Sequence, residues 1–113
     1  MVTACFDKTL GEVMESADLR GRVLAVMGEI AELARKKGIR LPETIVEDSF
    51  RKGADFPPQT KTSFQRDVER PDKPDEREIF GGTVLRMGRE TGVDTPATRE
   101  LCGVLENRKP LPA

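Results

Sequence analysis

The sequence predicts an all-α domain, a compact bundle of five to six helices, and three observations carry this. Apolar residues recur at i, i+3 and i+4 along most of the chain, the spacing of one helix face. Pro stands at or near the start of several such stretches and Gly at or just past the end, the asymmetry that helices show. No alternating apolar–polar run of useful strand length interrupts them, and no internal repeat is present.

Taken in order, the opening MVTACFDKTLGEVMES places Val2, Phe6, Leu10 and Val13 at helical spacing, so one helix is expected across it. It starts without a capping residue, as a chain cut from a longer one would. Ser16 then precedes ADLRGRVLAVMGEIAELARKKG, where Leu19, Val23, Val26, Met27, Ile30, Leu33 and Ala34 share an inward face. Asp18 in the first turn and Arg35, Lys36 and Lys37 in the last suit the helix dipole, and Gly38 fits the C-terminal cap. Gly21 and Gly28 each cost about 1 kcal/mol against Ala inside a helix, so a closely packed neighbouring helix is expected there.

Pro42 fits the first position of a third helix, PETIVEDSFRKG, with Ile45, Val46 and Phe50 inward and Gly53 ending it. Pro57 and Pro58 open a fourth, poor in apolar residues, expected to run through QTKTSFQRDVE to Arg70. RPDKPD breaks it, because each Pro pushes the residue before it away from helical angles. A fifth helix, EREIFGGTVLRMGRETG, turns Ile79, Phe80, Thr83, Val84 and Met87 inward and stops at Gly92. The last, TPATRELCGVLENR, has Thr95 as cap and Pro96 in its first turn, with Leu101, Val104 and Leu105 inward. A helical domain over residues 1–108 and a flexible tail over 109–113 are expected.

Composition narrows the function. A length of 113 residues suits one modest core, too small to include a nucleotide-binding sheet as well. With 19 basic against 20 acidic residues the net charge is −1, which gives no field to steer nucleic acid or an anionic membrane. A helix-turn-helix nucleic-acid binder is disfavoured accordingly. Cys5 and Cys102 fit no metal-ligand or CxxC spacing and are expected to be buried, reduced thiols. Without His, a zinc site would rest on carboxylates that suit zinc poorly, so no metal site is expected. No signal peptide or membrane-length apolar run is seen, and a cytoplasmic protein is expected. The lack of His, Tyr and Trp leaves proton transfer to Lys or to a carboxylic acid of shifted pKa.

The stretch KTSFQRDVERPDKPDEREIFGG, Lys61 to Gly82, gathers the candidate polar groups: Ser63, Asp67, Glu76 and Glu78. Ser63 and Asp67 stand four apart and share a helix face. Glu76 begins the next helix, where the dipole favours a carboxylate. A hydroxyl with one or two carboxylates could bind a small polar ligand or carry a proton; solvated charges at helix ends would read the same by spacing. The pair Gly81-Gly82 in mid-helix is a larger penalty, which close approach by a helix or a ligand would explain. Arg66, Arg70, Arg77, Arg86, Arg89 and Arg99 alternate with acidic residues and read as solvated ion pairs rather than a phosphate face. There is no GxGxxG, Walker or GxSxG motif.

Together, Ser63, Asp67, Glu76-Arg77-Glu78, Gly81-Gly82 and GVDTP at 92–96 resemble the signature region of ketopantoate reductases (2-dehydropantoate 2-reductases). VTACFDKTLGEVMES is similar to the helix following that family's catalytic Lys and Asn, so the resemblance spans nearly the whole chain. It implies the all-α C-terminal domain of an enzyme that reduces ketopantoate to pantoate with NADPH, in pantothenate biosynthesis. The N-terminal Rossmann domain, the catalytic Lys and most of the NADP site would lie outside this chain, which alone would be inactive. By the same resemblance Ser63 would hydrogen-bond the substrate, a ketopantoate-like 2-oxo acid. Glu76 would lie in the cleft beside substrate and cofactor, with Asp67 and Glu78 in support and Glu78 able to take Glu76's place. Where the family has Met, Thr and Asn, this chain has Phe64, Asp75 and Gly81, and an Asn expected before Gly11 is Leu10. The loss of that Asn removes a polar substrate contact and opens the way to another 2-oxo acid. A stand-alone helical interaction module, dimerising or docking a partner through its apolar faces, is the alternative. Either way an apolar surface is left to cover, and a homo-oligomer is expected.

Overall fold

The computed structural model describes residues 1–70 and 75–109, and every regular element among them is helical. In chain order they are α1 (Val2–Phe6), α2 (Leu10–Glu15), α3 (Ala17–Lys36), α4 (Ile45–Ala54), α5 (Ser63–Val68), a π turn (Glu78–Gly82), α6 (Thr83–Thr91) and α7 (Pro96–Arg108). The long α3 is the spine, with α1, α2, α4, α6 and α7 all packed against it. The core lies where α1, α2, α3, α5 and α7 meet, and Val13, Leu101 and Leu105 are each only 1% exposed. The tail after Lys109 and most of the Pro-rich break lie outside the described residues.

The expected first helix is two. Asp7 adopts the left-handed conformation at φ 53°, ending α1. Thr9 then caps α2: its hydroxyl accepts from Glu12 N while the Glu12 side chain accepts from Thr9 N, a reciprocal capping box. A strong start signal thus overrides an apolar spacing that runs through it. The spine is as expected at both ends, with the Ser16 hydroxyl accepting from Leu19 N and Gly38 at φ 77°. Its inward face is shifted, however: Ile30 is 46% exposed and Ala31 is buried.

Pro42 does not open the third helix. Its carbonyl accepts from Ile45 N in a turn (3.1 Å), and α4 runs from Ile45 one residue past Gly53. Residues 57–60 are not helical either, because their carbonyls are used elsewhere. Pro58 O accepts from Gly11 N at 2.7 Å and Thr60 O from Leu10 N at 3.0 Å, satisfying the first amides of α2. Helix α5 begins only after Thr62, whose hydroxyl caps it by accepting from Gln65 N. The fifth expected helix starts as a π turn over Glu78–Gly82, so Ile79 and Phe80 point outward, 62% and 48% exposed, instead of inward. It ends as expected, at Gly92 with φ 77°.

The start of α7 is capped across the bundle. Thr95 is its N-cap residue by position, yet its side chain makes no capping bond. Instead the Glu29 carboxylate, from α3, accepts from Ala97 N (2.7 Å), Thr98 N (2.9 Å) and the Thr98 hydroxyl (2.7 Å). Those are the orphan amides that every helix start leaves, and the negative charge also suits the dipole.

A second polar clamp fixes the connector before the π turn. Asp75 accepts from Arg77 Nε (2.8 Å) and Nη2 (2.9 Å), a two-pronged pair whose side chains are 0% and 6% exposed. Arg77 Nη1 donates to Lys109 O at 2.7 Å, and Lys109 Nζ lies 3.3 Å from Asp75 and donates to Asp67 O at 3.3 Å. The connector, the end of α7 and α5 are thereby joined. Arg77 is thus not a solvated ion pair, whereas Arg86 with Glu90 and Arg99 with Asp94 are exposed pairs as expected. The Arg77 hydrogen bond holds the Asp75 carboxyl down, from 3.8 to about 2.

The glycines divide by environment. Gly21 and Gly28, expected at a tight helix contact, have open space around them. Gly11 is the tight one: a Cβ there would sit 2.6–2.7 Å from Pro58, backbone atoms included. Gly11→Ala is therefore expected to destabilise by about 1–3 kcal/mol, and Gly21→Ala to stabilise by about 0.5–1 kcal/mol; urea unfolding of the two variants checks both signs. The clamp predicts a pH dependence. A carboxyl whose folded pKa is depressed contributes stability in full above its unfolded value, 3.8, and loses it as the pH falls through about 2. Urea midpoints of wild type should therefore drop toward those of Asp75→Asn between pH 4 and pH 2; a constant gap would contradict the clamp.

Candidate functional site

The structure distributes the four polar candidates over two elements. Ser63, the first residue of α5, is exposed, and Asp67 is half-buried one turn later on the same helix. Glu76 and Glu78 are exposed on either side of the buried Arg77. Alternation does this: with Asp75 and Arg77 turned inward to each other, the two glutamates between and after them are left facing solvent. Glu76 does not sit inside a regular helix. It precedes the π turn, and its carbonyl accepts from Ile79 N (3.0 Å) and Phe80 N (3.1 Å).

One aromatic contact brings the two elements together. Phe64, the residue after Ser63, stacks on Phe80 with ring centroids 5.4 Å apart, so α5 and the π turn meet. Phe64 is buried and belongs to the core, while Phe80 keeps its outer face in solvent. No hydrogen bond joins Ser63 to Glu76 or Glu78 in this structure. The stack sets α5, which begins with the exposed Ser63, against the turn that exposes Ile79 and Phe80.

Gly81-Gly82 makes the π turn possible, and here the expected close approach is found. A Cβ at Gly81 would lie 2.6 Å from Cys102 Sγ and 3.3 Å from Met1 Cε, so the turn rests directly on α7 and the start of α1. A Cβ at Gly82 would meet Glu78 Oε2 at 2.3 Å, so the bare backbone is what lets the Glu78 carboxylate fold back over its own turn. The Thr83 hydroxyl donates to Glu78 O (3.1 Å), tying the turn to α6. Such π turns are inserted at a cost and recur at functional sites. The Gly-Gly pair was a sequence signal for close approach; that the turn would be a π turn exposing Ile79 was not.

The cysteines lie beneath this surface. Cys5 is buried and its thiol donates to Leu101 O at 3.3 Å, whereas Cys102 is only half-buried, under Gly81. Burial pushes the Cys5 thiol up to about 11. It raises Cys102 as well, with the nearby Glu78 and Glu106 carboxylates adding to the effect. Both are therefore protonated near neutral pH and poor nucleophiles.

Among the described residues no group of three or more acidic or Cys side chains converges as a metal site would need. A dinucleotide does not fit these residues alone either. There is no Gly-rich phosphate loop, and the exposed charges of the surface at Glu76 and Glu78 are carboxylates, which repel a pyrophosphate. As exposed groups, the Ser63 hydroxyl can donate a hydrogen bond and the Glu76 and Glu78 carboxylates can accept one.

Known proteins place the chain. The ketopantoate reductase PanE/ApbA C-terminal family matches residues 1–109. No curated protein gives a match. Among solved structures, 2-dehydropantoate 2-reductase from Methylococcus capsulatus is similar at 31% identity and a TM-score of 0.77, over 93% of this chain and 34% of that one. A PanE/ApbA family ketopantoate reductase from Ralstonia eutropha JMP134 is similar at 25% identity and 0.81, over 94% and 35%. A dimeric ketopantoate reductase from Staphylococcus aureus shares the fold, at 23% identity and 0.85, over 94% and 37%. The chain thus spans about a third of the length of these structures. With its all-α architecture matching their C-terminal domain, the chain belongs to the ketopantoate reductase C-terminal family.

Proposed function

We propose that the chain works as the substrate-side domain of an NADP-dependent 2-dehydropantoate 2-reductase-like enzyme, acting on ketopantoate or a related 2-oxo acid in pantothenate biosynthesis. The observation that carries the proposal is the open surface at the π turn. There Glu76 and Glu78 stand exposed next to the uncovered Ile79 and Phe80, and the Phe64–Phe80 stack sets the start of α5 against the turn, in a chain of this family. A dinucleotide-binding domain packed over Ile79 and Phe80 would bury both and turn this surface into one wall of a cleft.

In that cleft each group has a defined task. NADPH, held by the other domain, supplies the hydride. Ser63 donates a hydrogen bond to the substrate and orients it. Glu76 accepts hydrogen bonds from substrate or cofactor, orienting them or supporting proton transfer, with Glu78 next to it as the substitute and Asp67 supporting α5. Alone, the chain carries none of the phosphate-binding machinery and is inactive. Its setting is cytoplasmic, and no helix among the described residues is long and apolar enough to cross a membrane. The exposed Leu24, Ile30 and Ile39 on and after α3 favour self-association into a homodimer or higher oligomer.

The test is NADPH oxidation with ketopantoate by the full-length protein that this reading implies. Glu76→Gln should lower kcat by about 100-fold, and Ser63→Ala should raise KM by roughly threefold to tenfold with little change in kcat. Survival of kcat in Glu76→Gln moves the role to Glu78. Absence of turnover with ketopantoate and other 2-oxo acids favours the interaction-module reading. Light scattering of the chain at high concentration should give a mass above the monomer's.

A further inference from the structure

A half-open groove of about 240 Å³ lies between α1, α2, α3 and α4. Three contacts trace its course. Thr62, on its lining, directly precedes Ser63, and Leu10 N donates to Thr60 O (3.0 Å), which sets Leu10 close to that segment. Met14 stands one turn after Leu10 on the same face of α2, and its Cε lies 3.5 Å from where a Cβ on Gly53 would be. The groove therefore leads from the start of α5, past Leu10 and Met14, to α4. It also meets the π turn, because Met1, another lining residue, has its Cε 3.3 Å from a Cβ placed at Gly81.

The two ends differ in chemistry. The hydroxyls of the lining, Thr3 and Thr62, lie 3.4 Å apart next to Ser63, and Met1, which carries the buried amine, starts the same helix as Thr3. The oxygens of an oxo acid are served at that end. Toward α4 the lining is hydrocarbon and thioether, with Leu10, Val13, Met14, Val23, Met27 and Phe50. A hydroxyl carried into that part would lose its water without gaining a partner, whereas each buried methylene is favourable. An apolar cavity of roughly 150 Å³ already holds benzene, so a side chain of about four to six carbons has room here. Methionines adapt to irregular shapes, and Gly53 leaves the α4 end free of a side chain. Leu10 stands where the family resemblance calls for Asn, so one wall changes from polar to apolar.

We propose that the substrate is a 2-oxo acid whose side chain is wholly apolar and about four to six carbons long. The side chain lies in this groove, and the oxo-acid end lies toward Thr62 and Ser63. Leu10 and Gly53 are then specificity-determining residues. This specificity rests on the reductase reading.

The experiment measures NADPH oxidation by the full-length protein with 2-oxobutanoate, 2-oxopentanoate, 2-oxohexanoate and ketopantoate. From 2-oxobutanoate to 2-oxohexanoate, kcat/KM should rise about fourfold with each added methylene. 2-Oxohexanoate should also exceed ketopantoate, by roughly tenfold. Gly53→Leu fills the α4 end and should lower the ratio of 2-oxohexanoate to 2-oxobutanoate by about tenfold. Leu10→Asn should move the ratio of 2-oxohexanoate to ketopantoate about tenfold toward ketopantoate. Each ratio is taken within one protein, so a partly misfolded variant does not imitate the effect. Turnover of ketopantoate with no rise along the series overturns the proposed specificity and leaves the reductase reading standing. The same holds if both variants keep the wild-type ratios. No turnover of any of these acids overturns both.

Discussion

The buried pair of Asp75 and Arg77 sets the position of everything that follows it. Removing two charges from water costs several kcal/mol for each ion, and the pair offsets that only because its hydrogen bonds are nearly complete. Two run from the Arg77 guanidinium and one from the Arg77 backbone N–H to Asp75, another goes from the guanidinium to the carbonyl of Lys109, and the Lys109 ammonium reaches the far carboxylate oxygen. Such a cluster adds little net stability over a well-packed apolar one, while removing one partner would cost about 3–5 kcal/mol. Its effect is therefore positional. It turns residues 75 and 77 inward, so 76 and 78 must face outward, and it ties their connector to the end of α7.

From that anchor the π turn is constrained at three further points. Gly81 rests on Cys102, Phe80 stacks on Phe64, and Thr83 donates back to Glu78 O. A side chain at position 81 would lift the turn off α7, and one at 82 would displace the Glu78 carboxylate. The acidic surface thus stands on a rigid base although its own side chains are in solvent. This arrangement suits a group that meets a ligand or another domain: the backbone is positioned in advance and the side chains remain accessible.

Legibility in the sequence followed the range of the interactions. The spine α3 could be read at both ends because Ser16, Asp18 and Gly38 act within a turn of themselves. The start of α7 could be placed at Pro96, but its cap could not, since Glu29 comes from a different helix. The Thr9–Glu12 box was present in the letters, yet the spacing of Val2, Phe6, Leu10 and Val13 runs across it and suggests one helix. Glycines were the least readable. Gly21 and Gly11 look alike in a helical pattern, and only the fold shows that Pro58 approaches the second and nothing approaches the first. At the site, the order of Ser63, Glu76 and Gly81-Gly82 carried the family, whereas the pairing of Asp75 with Arg77 was hidden by the reading of alternating charges as solvated.

The most direct test of the account is amide hydrogen exchange of the chain, wild type beside Arg77→Leu. If the clamp positions the site, the amides of Ile79 and Phe80, which bond to Glu76 O, lose protection selectively while those in the middle of α3 keep theirs. Unchanged protection at 79 and 80, or a uniform loss across the whole bundle, would contradict it.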